Sequence, residues 1–451
     1  MMNHEKLFAK TSPLKLFFLA AIPGGISMLA ASLYGLLDGM FVGRLLGEAS
    51  FAALNLAFPF VVFNFSLADL IGVGSSVPIS IQLGQKRQEE ANNIFTCACL
   101  MIVLTGTLIG GVLYAAAPAL IGCMGAEGEL AQLAVQYMRV YALCSPVTTI
   151  VFAMDNYLRI CGKIRMSMNL NILMSALSAG LEFLFLGVLH WGIWGAAFAT
   201  CCGMFLCAGI AFVPFLRGNL QLRLCRPHFS LPMIRQILVC GSPNFLSNIA
   251  GRITSVVMNI VLLRFGGAAA VSIYGILMYV GDGVQAFLYG VCDSLQPAVG
   301  YNWGAGRKDR VKAIERCCFT ASALLSVGFA AAVFLFPEPI VLLFAKEPDA
   351  AFLGSAVDAM RLMGIAILSR WISFATQSYM TAVDRPIYAS ILSVSTAFVF
   401  PLAFVALLWR LGLTGIWLNA PATYLLAAGT AAWILLRFRK EWRKTGEAES
   451  Q

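Results

Sequence analysis

Long apolar stretches recur along the whole chain, with short polar segments between them. Twelve stretches reach about 20 residues or more, the length that an α-helix needs to cross a bilayer. They occupy residues 14–43, 51–83, 93–117, 130–158, 166–189, 192–216, 233–264, 268–302, 314–336, 352–380, 386–409 and 412–436. The pattern predicts an all-α polytopic membrane protein with twelve transmembrane helices.

The apolar pattern repeats itself at a spacing of about 220 residues. Pro23 aligns with Pro243, and further identical pairs follow at the same or nearly the same offset. These pairs include Arg44/Arg264, Gly47/Gly267, Gly84/Gly304, Met138/Met360 and Gly192/Gly412. A nearly constant offset indicates an internal duplication. Each half holds six spans, so both halves begin on the same side, and we expect a pseudo-twofold axis along the membrane normal.

The joint between the halves is the segment RGNLQLRLCRPHFSLP at 217–232, which is polar and basic and contains two prolines. We therefore predict a six-helix lobe at 1–220, a cytoplasmic linker at 221–232 and a second six-helix lobe at 233–451. No residues are left over for a large soluble domain. Two similar membrane-embedded halves are the usual layout of a secondary transporter.

Composition and charge placement support this layout. Of the residues, 59% are hydrophobic and 12% are charged, against about 25% charged in a soluble domain. Most Lys and Arg side chains lie in the loops on the side of the N-terminus. The other side carries Arg44, Arg264, Lys346 and Arg410. This bias predicts that both termini are cytoplasmic, so the net charge of +9 reflects topology and not nucleic-acid binding.

Several function classes find no support in the sequence. The basic N-terminus resembles a signal peptide, but the apolar run after it is too long, so we expect a retained first helix. The 13 cysteines lack histidine partners at zinc spacing and are expected to be packing residues. The three histidines lie in the tail or in predicted loops, and no phosphate-binding loop is present. We expect neither an enzyme nor a prosthetic cofactor.

Ionisable residues at lipid depth are costly and are therefore candidates for function. Asp38 lies late in the first span and Glu182 late in the fifth, and both spans run outward, so the two carboxylates can lie at similar depth. Two acids that face one cavity can hold H⁺ or Na⁺ and release it when a cationic substrate arrives, which is the minimum chemistry of an antiporter. Alternatively, each acid accepts a hydrogen bond between helices, and position alone leaves both interpretations open.

Other polar positions in the spans form two groups. Ser178 shares a helix face with Glu182, and Thr200 lies in the next span, where each hydroxyl could support the acid or pack between helices. Candidates for the substrate cavity are Asp69, Asp155, Asn156, Asp282 and Asp293. Pro23 interrupts the backbone hydrogen bonds of the first span, which permits a bend or gives a static kink.

Four segments resemble the multidrug and toxic compound extrusion (MATE) family. They are LLDGMFVGRLLGEASFAALNLAFP at 36–59, GVGSSVPISIQLGQKRQEEAN at 72–92, YLRICGK at 157–163 and LQPAVGYNWGAGRKDRV at 295–311. The resemblance covers nearly the whole chain. The seventh span lacks the acid that one branch of the family carries there. This difference favours the bacterial branch that resembles DNA-damage-inducible and Staphylococcus-type exporters.

The resemblance implies roles for individual residues. Asp38 matches the first-helix acid implicated in cation coupling, Thr200 matches a sixth-helix hydroxyl, and Pro23 matches a first-helix proline that bends in some members. The fifth-helix pattern Asn-x-x-x-Asp-Pro is replaced here by Ser178-x-x-x-Glu182-Phe183. Loss of the amide oxygen weakens a Na⁺ site while a carboxylate still carries a proton. We therefore favour H⁺ as the coupling ion, with Na⁺ at Asp38 and Glu182 as the alternative.

The expected protein is a monomeric exporter of amphipathic, mostly cationic compounds in the bacterial cytoplasmic membrane. It would work by antiport with H⁺ or Na⁺ and by alternating access between its two lobes. The alternative is a flippase for lipid-linked saccharides, which related two-lobe folds also serve. A flippase would favour a cationic cavity for pyrophosphate, and Arg252, Arg361 and Arg370 keep this alternative open.

Overall fold

The computed structural model describes residues 6–345 and 349–448, and this part of the chain is helical almost throughout, with no strand. The outer-side residue Lys346 lies outside the described residues. The first seven helices are α1 (Pro13–Phe41), α2 (Glu48–Gly84), α3 (Gln88–Cys123), α4 (Gly128–Thr148), α5 (Ile150–Ile160), α6 (Ile164–Phe183) and α7 (Ile193–Leu216).

The remaining helices include the longest one. They are α8 (Leu231–Cys292), α9 (Gln296–Gly304), α10 (Lys308–Leu335), α11 (Pro337–Leu342), α12 (Ala350–Ala382), α13 (Pro386–Val394), α14 (Phe400–Leu408), α15 (Gly412–Trp417) and α16 (Asn419–Ala448). Helices suit these apolar stretches because every backbone hydrogen bond is made within the segment, where lipid offers no partner.

The predicted spans appear as helices. Ten helical stretches in the described ranges are long and apolar enough to cross a membrane, and the longest is Leu231–Gly304 with 74 residues. That stretch contains the two predicted spans 233–264 and 268–302. They are separated at Gly267, where the backbone leaves the helical conformation. The last predicted span, 412–436, consists of α15 and the first part of α16. The prediction of an all-α polytopic membrane protein is therefore confirmed.

The chain forms two compact units. The first unit contains Met1–Phe245 and Gly300–Lys308, and the second contains Leu246–Val299 and Asp309–Gln451. Within the first unit, α1 packs along α6, α3 packs against α2 and α4, and α7 contacts α4 and α6. Within the second unit, α12 and α14 both pack against α16. The predicted lobe boundaries at 1–220, 221–232 and 233–451 and the pseudo-twofold axis stay predictions.

Four of the repeated glycines hold a backbone conformation that other residues rarely adopt. Gly47 has φ 88° and ψ −179°, and its repeat partner Gly267 has φ 62° and ψ −157°. Gly192 has φ 74° and ψ −164°, and its partner Gly412 has φ 65° and ψ −144°. This region is essentially restricted to glycine, since a Cβ would clash with the backbone. The identity of these pairs therefore reflects turn geometry that both halves need.

Gly84 and Gly304, another repeated pair, lie in the turns that follow the second and eighth spans. Each of these turns contains a residue in the left-handed conformation, but it is not the repeated glycine. The left-handed residues are Lys86, with φ 63°, and Gly306, with φ 69°. A Cβ on Gly84 would collide with the carbonyl oxygen of Tyr301, and one on Gly304 would collide with that of Ile81. The pair therefore allows α2 and α9 to pack backbone against backbone within the first unit.

Substitution of Gly84 by alanine should destabilise the first unit, because the new Cβ must displace the backbone of Tyr301. Overpacking of this kind costs about 1–3 kcal/mol. We expect a lower Tm in detergent for Gly84→Ala. Gly111→Ala is the matched control, since open space surrounds this helical glycine. It should keep or raise the Tm, as alanine stabilises a helix by about 0.5–1 kcal/mol over glycine. Equal Tm values for the two variants would contradict the proposed backbone contact.

Candidate functional site

The carboxyl groups of Asp38 and Glu182 come together in the first unit. Asp38 lies near the end of α1, Glu182 lies near the end of α6, and these two helices pack along each other. The two carboxyl groups lie within electrostatic range of each other. Glu182 is 0% exposed, and Asp38 is half-buried. The structure thus brings together the two acids that the sequence places at similar depth.

The ends of α1 and α6 have the same local construction. A π-helical turn at Val42–Leu46 follows α1, and another at Leu184–Val188 follows α6 directly after Phe183. The rings of Phe41 and Phe183 lie 6.1 Å apart and hold the two helix ends together. π-Helical turns within long helices often accompany functional sites, because they change the direction in which nearby side chains point.

Four oxygen atoms around the two acids are buried and have no hydrogen-bond partner within the described residues. They are Oδ1 of Asp38, Oε1 and Oε2 of Glu182, and Oγ of Ser178. Ser178 lies one turn before Glu182 on the same face of α6 and is 1% exposed. A buried polar group without a partner costs about 1–3 kcal/mol, and a charged one costs more. A bound proton or cation would stabilise such a group of oxygens.

A hydroxyl pair lies beside the acids. Tyr34, one turn before Asp38 on α1, shares a hydrogen bond of 2.5 Å with the Oγ1 atom of Thr200. Thr200 is buried in α7 and also donates to the carbonyl oxygen of Ala196 at 3.3 Å. The phenol therefore donates to Thr200 and connects α1 with α7. Thr200 was a candidate on sequence, whereas Tyr34 was missed, although its spacing from Asp38 places it on the same helix face.

Two further tyrosines on α4 form a wall of the same site. The rings of Tyr137 and Tyr141 lie 5.1 Å apart, and both side chains are buried. Each lies within electrostatic range of Asp38. Sequence reasoning missed this pair too, and the available signal was two tyrosines one turn apart in the fourth span.

The site is acidic and has no compensating basic group. Neither Asp38 nor Glu182 forms an ion pair with a Lys or Arg in the part of the chain that the structure describes. Two like charges at short distance repel strongly where the dielectric constant is low. Nowhere in the described ranges do three His, Cys, Asp or Glu side chains cluster as metal ligands. The arrangement suits a proton or a monovalent cation.

Asp155 and Asn156 have their polar groups bonded within the protein. Asp155 forms an ion pair of 2.7 Å with Arg159 and accepts hydrogen bonds from Ser167 and, at 2.9 Å, from Asn171. Asn156 donates to the carbonyl oxygen of Phe152 at 3.4 Å. The predicted contact of Asp155 and Asn156 with substrate stays a prediction.

The other candidates for the substrate cavity lie at separate places. Asp293 accepts hydrogen bonds of 2.8 Å from Ser378 and from Gln296, and Asp69 is half-buried in α2. Asp282 lies on the wall of a cavity of about 430 Å³ in the second unit. Asp69, Asp282 and Asp293 are not sequence neighbours of Asp38 or of Glu182. Their roles in substrate binding stay predictions.

Pro23 lies inside α1 and is buried. The helix continues through it from Pro13 to Phe41, and the hydroxyl of Ser27 donates to the Pro23 carbonyl oxygen at 2.9 Å. Proline has no N–H, so the backbone ladder lacks one hydrogen bond at this point. Its use as a point of bending stays a prediction.

Comparisons with known proteins agree with this architecture. The multidrug export protein MepA of Staphylococcus aureus (strain NCTC 8325 / PS 47) is 26% identical over 426 residues, which cover 92% of each chain. A solved structure of MATE in the bent conformation has 23% identity and a TM-score of 0.91, covering 99% of this chain and 100% of that one. An outward-facing multidrug resistance MATE family transporter of the MOP superfamily has 23% identity and a TM-score of 0.91, covering 98% and 99%.

The family model MatE matches the chain twice, at residues 23–184 and 243–407. The two matches begin at Pro23 and Pro243, the first pair of the internal repeat, so each half resembles the same model. Together the matched segments cover well over half of the chain. This protein therefore belongs to the MatE family, whose members are membrane transporters and not enzymes, as its motifs predicted.

Proposed function

We propose that the protein is a secondary active multidrug exporter driven by H⁺ entry at Asp38 and Glu182. It would export amphipathic, mostly cationic compounds by alternating access between its two lobes. The observation that carries the proposal is the group of four buried, unbonded oxygens on Asp38, Glu182 and Ser178. The relative MepA is a multidrug export protein, which supports multidrug export as the function.

The chemistry of antiport follows from the charge of this pair. Without a proton or cation, the two carboxylates repel each other with no Lys or Arg paired to them among the described residues, which is unfavourable at low dielectric. One proton shared by the pair neutralises half of that charge and satisfies an unbonded oxygen. A cationic substrate neutralises the same charge. Proton and substrate therefore compete for one site, and this competition is what an exchanger requires.

Proton coupling is favoured over Na⁺ by the set of oxygens available. A hard cation needs several oxygen ligands around it. Here the unbonded oxygens belong to two carboxylates and one hydroxyl, and no amide oxygen is among them. Thr200 is already bonded to Tyr34 and to Ala196. A proton needs only one or two of these oxygens, so we assign H⁺ as the coupling ion, with Na⁺ as the alternative.

The proposed setting is the bacterial cytoplasmic membrane, with the protein as a monomer and both termini in the cytoplasm. The placement of Lys and Arg in alternate loops supports this orientation. Its partners would be small amphipathic cations and the lipid bilayer, with no nucleic acid.

Loss of either acid should abolish transport. We expect Asp38→Asn and Glu182→Gln to lower the export of a cationic dye, measured as its uptake into the lumen of inverted vesicles, by about tenfold or more, the scale of a coupling free energy. Asp358→Asn is the matched control, because this carboxylate is 77% exposed beside Arg361. It should retain efflux at the wild-type rate. Full efflux by Asp38→Asn would refute the proposed mechanism.

The identity of the coupling ion can be tested separately from the identity of the residues that bind it. We expect an imposed pH gradient, with an acidic lumen and Na⁺-free buffer, to drive dye uptake into inverted vesicles containing the wild-type protein, which is the direction of export. An imposed Na⁺ gradient at equal pH on both sides should not drive it, because the oxygens at the site are too few for a Na⁺ cage. Dye uptake under the Na⁺ gradient alone would assign Na⁺ instead.

A flippase for lipid-linked saccharides is the second candidate. The observation in its favour is that Arg252 and Arg370 line one cavity of the second unit. Arg361 lies elsewhere, in an exposed pair with Asp358 at 3.9 Å, and Asp282 adds a negative charge to the cavity wall. Pyrophosphate carries more negative charge than this wall can balance. We expect the chain not to rescue a flippase-depleted strain, and rescue would favour this candidate over the exporter.

A further inference from the structure

The cavity of the second unit carries a charge arrangement opposite to that of the Asp38–Glu182 site. Its volume is about 430 Å³, within the usual range of about 300–1,000 Å³ for ligand cavities. All of its lining residues belong to the second unit, and they come mainly from α8, α12 and the segment from α13 to α16. The ionisable groups on its wall, apart from tyrosines, are Arg252, Asp282 and Arg370.

Arg370 is held in place by its neighbours. Its Nη1 atom donates to the carbonyl oxygen of Gly281 at 3.3 Å, and its guanidinium lies over the ring of Tyr424 at 5.1 Å from the centroid. A Cβ on Gly281 would lie 2.7 Å from the Cε atom of Met363 and 3.4 Å from the same Nη1 atom, so both side chains pack closely over this glycine. Arg370 therefore contributes a fixed positive charge.

Arg252 differs from Arg370 in having unused donors. It forms no hydrogen bond or ion pair among residues 6–345 and 349–448. Asp282 lies within electrostatic range of both arginines without forming an ion pair with either. Arginine presents five N–H donors in a planar fork that matches a carboxylate. Arg252 is thus the group on this wall that is free to bind a ligand.

The charges on the wall select the charge of the ligand. Two guanidinium groups and one carboxylate leave one net positive charge. A ligand with a single negative charge balances it, whereas a dianion or a cation would leave an unbalanced charge at low dielectric. The rest of the wall is adaptable and partly aromatic, with Met258, Met278 and Met363 and the rings of Tyr274 and Tyr289.

We propose that this cavity binds aromatic amphiphiles that carry one negative charge, such as an organic carboxylate, with Arg252 as the residue that contacts the anionic group. Arg370 and Asp282 set the charge balance of the wall. This site is separate from the coupling acids, and its occupancy does not depend on the proposed export function.

A matched series of naphthalene probes tests the charge preference. Binding of 2-naphthoate, 2-naphthamide and 2-naphthyl phosphate to the purified full-length wild-type protein is measured by calorimetry at pH 8, where they carry one, no and two negative charges. We expect 2-naphthoate to bind about tenfold more tightly than the other two probes. Equal binding of the amide, or tighter binding of the phosphate, would overturn the proposal.

Variants of Arg252 then test whether this residue contacts the anionic group of the ligand. Arg252→Gln should weaken 2-naphthoate binding about tenfold, the loss expected for a charged hydrogen bond. Arg252→Lys should give an intermediate affinity, because it keeps the charge without the planar fork. Arg361→Gln is the matched control, since this arginine is exposed outside the cavity, and it should bind like wild type.

Two further measurements distinguish loss of ligand binding in this cavity from misfolding of a variant and from effects of the Asp38–Glu182 site. If Arg252→Gln does not give a folded protein, Arg252→Lys and the probe series on wild type still decide the proposal. Asp38→Asn should abolish dye efflux and leave 2-naphthoate binding unchanged. Wild-type affinity in Arg252→Gln or Arg252→Lys, or loss of binding in Asp38→Asn, would overturn the assignment to this cavity.

Discussion

The structure of the first unit depends on one constraint, the presence of two acids, Asp38 and Glu182, in helices apolar enough to cross a membrane, with no Lys or Arg paired to them in the part of the chain that the structure describes. A buried charge is normally paired, because the interior of a membrane protein cannot solvate it. The same chain shows the ordinary solution at Asp155, whose oxygens are bonded to Arg159, Ser167 and Asn171. Asp38 and Glu182 lack that solution. In the proposed function, the partner that these two acids lack is the transported ion.

The neighbours of the pair limit how it can be satisfied. Tyr34 and Thr200 bond to each other and so are not turned toward the carboxylates as their main partners. Ser178 has room for its hydroxyl because Gly203 has no side chain, and a Cβ there would collide with the Ser178 oxygen. The helices thus place hydroxyls close to the acids without neutralising them. In the proposed mechanism, this arrangement leaves the two acids able to bind an external cation.

The duplication explains why the two units share a scaffold and differ in chemistry. Gly47 and Gly267 keep the same backbone conformation, since the turn allows no other residue. The side chains that face the cavities were free to diverge. At the 220-residue offset, Asp38 corresponds to Met258 and Thr200 to Ala420, and both of these residues line the cavity of the second unit. At these two positions the first unit has an acid and a hydroxyl, whereas the second unit has apolar side chains on the wall of a cavity with one net positive charge.

The sequence predicts those features that a single helix or the bilayer determines. Span positions follow from hydropathy, and the meeting of Asp38 and Glu182 follows from their equal depth on two outward-running helices. Features that depend on how helices pack could not be obtained this way. The left-handed turn lies at Lys86 because α2 must remain helical through Gly84 to meet α9, and no local pattern reveals that contact. Tyr34 was missed for the same reason, since its importance comes from Thr200 on another helix. Functional residues of this kind are defined by the partner that they lack or share, and only the packed structure shows which partners are present.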